Sequence, residues 1–283
     1  RNALSPQVLR EIYRVLDRAE SDKATVIITG RESVFSAGFD LHTMKRGGTD
    51  AMRMLRLGYA LTARVMAYPR PVIAACNGHA MAMGVFLMLS ADYVIGSRGD
   101  FKISANEVAL GLTMPRVAAA TLQNRLTPAA YQRAVTLAEY FDAESALRAG
   151  FFDELVDPEA LTSRAETLAE AFDELDAAAH KASKLRIRAA LLRKIRVSIP
   201  LDLLDAAMMG LRGARPRQGL RTRRVVRGDA VQDQGPDRRV KVKGAHIGAV
   251  AGAHLDHAKG LRGDQFLAQL AAADAHLRGE FSQ

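Results

Sequence analysis

A single cysteine, Cys76, stands in 283 residues, so no intrachain disulfide framework can hold this chain. A reducing compartment is the simpler expectation, and the cytoplasm the expected location. No apolar run approaches the roughly 20 residues that a bilayer-crossing helix requires, so no membrane partner is expected. The opening residues, RNALSPQ, have neither an initiator methionine nor the basic, apolar and small-residue order of a secretory signal. The chain is therefore expected to start partway, with any upstream targeting element outside it. Net positive charge is also scarce over most of the length. Of the net +9, residues 211–283 hold +7, from 14 Lys and Arg against 7 Asp and Glu. Residues 1–210 offer no basic helix or aromatic ladder suited to a phosphate backbone, so nucleic acid is not an expected partner.

What the chain has is apolar content, 48% of residues, over a length that supports a substantial core. Ser5-Pro6 is a helix start, and Val8, Leu9, Ile12, Val15 and Leu16 recur at helical spacing behind it. The branched run Thr25 to Thr29 reads as a buried strand closed by Gly30. A helix is expected from Asp50 to Met66, with Met54, Leu55, Tyr59, Thr62 and Met66 near one face. Pro69 and Pro71 end it, and short strands are expected at Val72 to Cys76, Tyr93 to Ile95 and Phe101 to Ile103. The pattern is α/β. From Pro115 to about Ile199 the chain reads mainly as helices, among them one from Thr127-Pro128, one over Glu159 to Leu175 and one over His180 to Val197. After Leu211 glycines, arginines and four histidines alternate without a period, with ARPRQGLRTRRVVR at 214–227. That segment, 211–283, is expected to be a poorly ordered basic tail.

Three pieces carry chemistry: FSAGFD at 35–40, NGHAMAMG at 77–84 and ANEVALGLTMP at 105–115. A glycine turn with small neighbours, as at Gly38, lets a ligand approach the main chain and its N–H groups. Asn77-Gly78 turns the chain into an expected helix, AMGVFLMLSA, whose first N–H groups have no acceptors of their own. Glu107, in apolar surroundings, has the makings of a general base whose pKa is raised by desolvation. Taken singly, each has a plainer reading. Gly38 alone is a turn and Glu107 alone a surface residue or cap. Asp40 and Asp92 read as turn or cap residues, and His42 and His79 as packing or polar-satisfaction residues. The histidines of the tail form no metal motif, and no metal site is expected.

In order and spacing, the three pieces resemble the crotonase (enoyl-CoA hydratase/isomerase) family. The resemblance runs over about residues 2–210, from NALSPQVL through VIITGRESVFSAGFDL, PVIAACNGHAMAMG and NEVALGLTMP to LTPAAYQRAVTLAEYFDAESALRAGFFDELV. It implies an α/β core of ββα units in a spiral over 1–125, with strands expected before NALS. It also implies a helical region over 126–210 that forms trimers or dimers of trimers. The substrate implied is an acyl-CoA thioester, with no metal or redox cofactor. Carried over position by position, the resemblance makes the N–H groups of Phe39 and Met83 an oxyanion hole. It sets Ser36, Ala37, Gly38 and Leu41 along the CoA portion, and His79, Met81 and Phe86 along the rest of the substrate. The family usually has successive glycines where this chain has Ala82 and Met83, so Met81 and Met83 are expected to reshape the acyl pocket. Hydratases of the family use two glutamates. The later one matches Glu107, but the earlier falls at Phe86, which cannot transfer a proton. One glutamate at the position of Glu107 suits the family's isomerases, and NEVALGL resembles their motif. The resemblance therefore implies a Δ3,Δ2-enoyl-CoA isomerase, with an enoyl-CoA hydratase or a catalytically impaired acyl-CoA-binding homologue as alternatives.

Overall fold

Successive strands alternate between two sheets, and that alternation decides where the motifs end up. The computed structural model describes residues 2–211. Helix α1 (Pro6–Ser21) begins where its local chemistry dictates, with the Ser5 hydroxyl accepting from Val8 N–H and Pro6 in the first turn. Leu9 and Leu16 bury its apolar face. Strand β1 (Val26–Thr29) leads to β2 (Val34–Ser36), and Asp40 then caps α2 (Leu41–Arg46) by accepting from Thr43 N–H and Oγ1. In α3 (Gly48–Met66) all five residues expected on one face are buried.

The chain continues through β3 (Val72–Cys76), β4 (His79–Met81), α4 (Met83–Met88), β5 (Tyr93–Ser97) and β6 (Ile103–Ser104). After a short 3-10 turn at Val108–Leu110 come α5 (Arg116–Arg125), α6 (Pro128–Leu137), α7 (Ala143–Ala149), β7 (Glu154–Val156), α8 (Leu161–Asp173) and α9 (Ala177–Leu211). The odd strands form one parallel sheet in the order β1-β3-β5-β7, and the even strands form a second, β2-β4-β6. Each turn of the chain thus adds one strand to each sheet, the mixed α/β spiral that the sequence leads one to expect. The long buried run of β3 sits in the middle of the larger sheet, as an apolar strand covered on both faces should.

Three expectations are corrected. Asn77-Gly78 does not lead straight into a helix, because β4 intervenes. Asn77 instead clamps the neighbouring connection, its Oδ1 accepting from Gly30 N–H and its Nδ2 donating to Glu32 O. The mainly helical stretch contains β7, which returns to pair with β5. Helix α9 runs through Pro200 rather than ending near Val197.

Both halves of α9 are fastened to the body by buried ions. Near its start, Asp92 accepts from Val72 N–H at 2.8 Å, Lys184 Nζ at 2.6 Å and Arg188 at 2.9 Å. Asp92 is therefore more than a turn residue. Burial pushes Lys184 down to about 8, against the pull of Asp92. Past Pro200, Asp202 accepts from the N–H groups of Arg116 and Val117, both at 2.9 Å, and from the Arg116 guanidinium. It caps α5 from another helix. The tail at 211–283, apart from Leu211, lies outside the described residues.

Candidate functional site

β2, β4 and β6 lie side by side and run in one direction, so their C-terminal ends open on the same edge of the small sheet. Ser36 stands opposite Ala80, and Met81 opposite Ser104. Ala82 N–H donates to Ser104 O at 2.9 Å, which carries the β4–β6 pairing one residue past the strand. The three motifs are the segments leaving these three ends. Sheet order alone brings them together.

At the first exit Gly38 has φ of +83°, a conformation that L side chains rarely adopt. A Cβ there would stand 3.0 Å from Met81 O and 3.4 Å from Met83 N, so the first loop lies directly on the second. Leu4 pairs with this loop on its other side. Leu4 N–H donates to Gly38 O, and Leu4 O accepts from Asp40 N–H. A parallel bridge of this kind uses the peptide groups flanking Phe39 and turns Phe39's own N–H away. Among the described residues that N–H finds no acceptor.

At the second exit Ala82 takes φ 48° and ψ −123°, a glycine-like conformation held by an alanine. Met83 opens α4, so its N–H has no acceptor within the helix. Gly84 is there for packing, since a Cβ would come within 2.7 Å of Ser36 Cβ and Ser36 O. At the third exit Glu107 begins the 3-10 turn, its main-chain oxygen accepting from Leu110 and Leu112 N–H. The residue is 7% exposed, and Oε2 has no hydrogen-bond partner among the described residues. Burial pushes its pKa up to about 7, with only its own N–H pulling the other way.

The other sequence-predicted residues fall into two groups. Ala37 and Leu41 are exposed beside the first loop, and Met81 is half-buried at the end of β4. Ser36 is buried, donating to Asn2 O and accepting from Gly38 N–H, so its hydroxyl shapes the turn. His79 lies at the start of β4, opposite Val34 and away from the exit. Its Nδ1 accepts from Lys102 N–H and its ring meets Phe101 edge-on, the polar-satisfaction role. Met83 and Phe86 are sealed in the core. Burying a side chain such as Phe86 contributes roughly 1.5–3 kcal/mol.

Helix α3 supplies a wall that the motif reading did not include. A Cβ at Gly58 would run into the Phe39 ring and stand 3.6 Å from Met83 Sδ. Tyr59, next along, meets Phe39 edge-on with ring centroids 5.8 Å apart. The available signal was Gly58 itself, a costly residue inside an otherwise good helix. Two N–H groups without acceptors and one buried carboxylate at adjacent strand exits can polarise a carbonyl and take a proton beside it.

The family pattern described as Enoyl-CoA hydratase/isomerase matches residues 1–199. Among curated relatives, a probable enoyl-CoA hydratase of Mycobacterium avium is 34% identical over 174 residues, 60% of this chain and 67% of the relative. A solved enoyl-CoA hydratase from Mycobacterium ulcerans is 44% identical with a TM-score of 0.70, covering 72% of this chain and 90% of that one. A solved protein from Mycobacterium tuberculosis, described in one structure as an enoyl-CoA isomerase and in another as a probable enoyl-CoA hydratase, is 43% identical in both, with TM-scores of 0.68 and 0.70, covering 71% and 74% of this chain and 88% of that one.

Proposed function

The chain belongs to the enoyl-CoA hydratase/isomerase family, and from that premise we propose that it is a Δ3,Δ2-enoyl-CoA isomerase. One observation carries the reading. Glu107 is a buried carboxylate with an unpartnered oxygen, while Phe86, where a hydratase of the family has its other glutamate, is closed into the core. Hydration needs a base for water and an acid for the carbon. A double-bond shift needs one group that takes a proton and gives it back. Of the two descriptions given to the similar Mycobacterium tuberculosis protein, enoyl-CoA isomerase agrees with this reading and probable enoyl-CoA hydratase with the second one below.

In the proposed reaction the thioester oxygen accepts from Phe39 and Met83 N–H. Glu107 removes a C2 proton, giving a dienolate with double bonds at C1–C2 and C3–C4 and its negative charge on the thioester oxygen. As the carboxylic acid returns the proton to C4, the C3–C4 double bond moves to C2–C3 and the thioester carbonyl is restored. Atoms balance without a metal or redox cofactor, and CoA is part of the substrate. One oxyanion donor is worth about 3–4 kcal/mol of barrier. Glu107 must be ionised to accept the proton. With its pKa pushed up to about 7, kcat/KM is expected to fall as pH drops below that value. The proposal includes a trimeric or hexameric assembly, supported by exposed apolar residues such as Ile187 and Val197 on α9. It also places the enzyme in the cytoplasm, in keeping with its one buried free thiol.

Most of the similar proteins are described as enoyl-CoA hydratases, which favours a second reading, hydration. Parallel assays separate the two. The proposal expects 3-enoyl-CoA to become trans-2-enoyl-CoA much faster than the latter is hydrated. Hydration as fast as isomerisation, or faster, overturns it.

A further inference from the structure

Gly58 is buried well inside α3, a 19-residue helix in which alanine would be the better helix former. Its neighbours explain the choice. A Cβ at this position would stand 2.3 Å from Cε1 and 2.5 Å from Cζ of the Phe39 ring, and 3.6 Å from Met83 Sδ. The first two distances fall far inside an ordinary carbon–carbon contact of roughly 3.5–4.0 Å. One helix position therefore bears on the side chains of both Phe39 and Met83, whose N–H groups have no acceptors.

The Phe39 peptide is gripped from two sides. On one, Leu4 N–H donates to Gly38 O at 2.8 Å and Asp40 N–H donates to Leu4 O at 3.2 Å, which fixes the peptide groups flanking Phe39. On the other, the Phe39 ring rests on the bare backbone of Gly58. It also meets the buried Tyr59 ring edge-on, with centroids 5.8 Å apart. The Leu4 bridge sets the direction of Phe39 N–H. The depth to which the ring seats against α3 sets its separation from Met83 N–H, because the first loop lies on the second, with a Cβ at Gly38 only 3.4 Å from Met83 N.

Resting on Phe39 and Met83 N–H as the oxyanion hole, we propose that Gly58 is the positioning residue of that hole. Its missing side chain lets the Phe39 ring seat against α3, and the seat sets the spacing of the two donors. Gly58 itself does not meet the substrate. A methyl group there would push the ring back by roughly 1 Å. Oxyanion donors act over about 2.7–3.1 Å, and a misplacement of about 1 Å can cost on the order of a hundredfold in rate.

Infrared difference spectra of butanoyl-CoA, labelled with carbon-13 at the thioester carbonyl, read the hole without turnover. On the wild type the carbonyl band is expected to move to lower wavenumber on binding, and on Gly58→Ala to lose about half of that shift or more. In turnover, Gly58→Ala is expected to lower kcat roughly tenfold or more with KM within about twofold, since the donors act most strongly on the transition state. Phe39→Leu reaches the same contact from the other side. It keeps the main-chain N–H and removes the ring, so part of the band shift is lost there too. In that background the added methyl meets no ring, and Gly58→Ala is expected to lower kcat by less than about twofold. A Gly58→Ala band shifted as far as the wild type's overturns the proposal, as does an equal loss from Gly58→Ala in both backgrounds. A full wild-type shift in Phe39→Leu overturns it even where Gly58→Ala fails to fold. A wild-type band that does not move on binding overturns the oxyanion hole, and this proposal with it. The band reads the same contact whether the enzyme isomerises or hydrates.

Discussion

Glu107 at the exit of β6 and Asp202 at the seat of α9 are buried to nearly the same degree, 7% and 5% exposed, yet their surroundings are opposite. Asp202 meets two backbone N–H groups and a guanidinium. Glu107 has one oxygen facing nothing, and burial holds its pKa near neutrality. A buried charge that serves the fold is surrounded by donors, because desolvation is otherwise uncompensated. A buried carboxylate left short of donors is poised between protonation states, which is what proton transfer needs. On the proposed mechanism, the difference between these two regions separates architecture from chemistry.

The largest expected effect is on the architectural side. Asp92→Ala strands Lys184, whose side chain is 4% exposed, and Arg188 without their carboxylate. A loss of about 3–5 kcal/mol in denaturant unfolding is expected. A loss below about 1 kcal/mol breaks the comparison, since the seat of α9 would then be held by packing alone. Asp202→Ala removes a cap from α5 while leaving Arg116 its second partner, Asp205. About 2 kcal/mol is expected, with isomerase activity changed far less than by substitutions at Glu107. The smallest effect is at the site's edge. Ala82 holds a glycine-like conformation, so Ala82→Gly is expected to relieve strain by about 1 kcal/mol, read as a small rise in the unfolding midpoint. A loss of stability would show that the alanine methyl has a packing role outweighing its strain.

Much of this arrangement was legible because it is local. Ser5-Pro6 and Thr127-Pro128 announce helix starts by side-chain chemistry, and both hydroxyls accept the expected N–H bonds. Gly38 announces its turn, and Glu107 stands out as a lone acid among apolar neighbours. The family resemblance then assigns the three loops to one site. Other features were hidden for physical reasons. β2, β4 and β6 have two or three residues each, too few for alternation to register. Pro200 signals a helix end, yet α9 continues because Lys184 and Arg188 fasten it before the proline and Asp202 after it. Asp202 caps a helix that begins 86 residues earlier, at Arg116, a pairing no local window contains. Tyr59 read correctly as part of a buried face, but its nearness to Phe39 is set by tertiary packing.

The central claim is that Glu107 is kept for chemistry at the expense of the fold, and one substitution tests both halves. A carboxyl whose folded pKa is raised above its ordinary 4.5 destabilises the folded state once it ionises. That cost is absent below the ordinary value, grows as pH rises and is complete above about 7. Glutamine does not titrate. Glu107→Gln at pH 8 is therefore expected to lose isomerase activity by roughly a hundredfold or more while gaining about 1–3 kcal/mol of stability, the gain vanishing near pH 4. A variant that isomerises like wild type, or that is less stable than wild type at pH 8, would contradict the account.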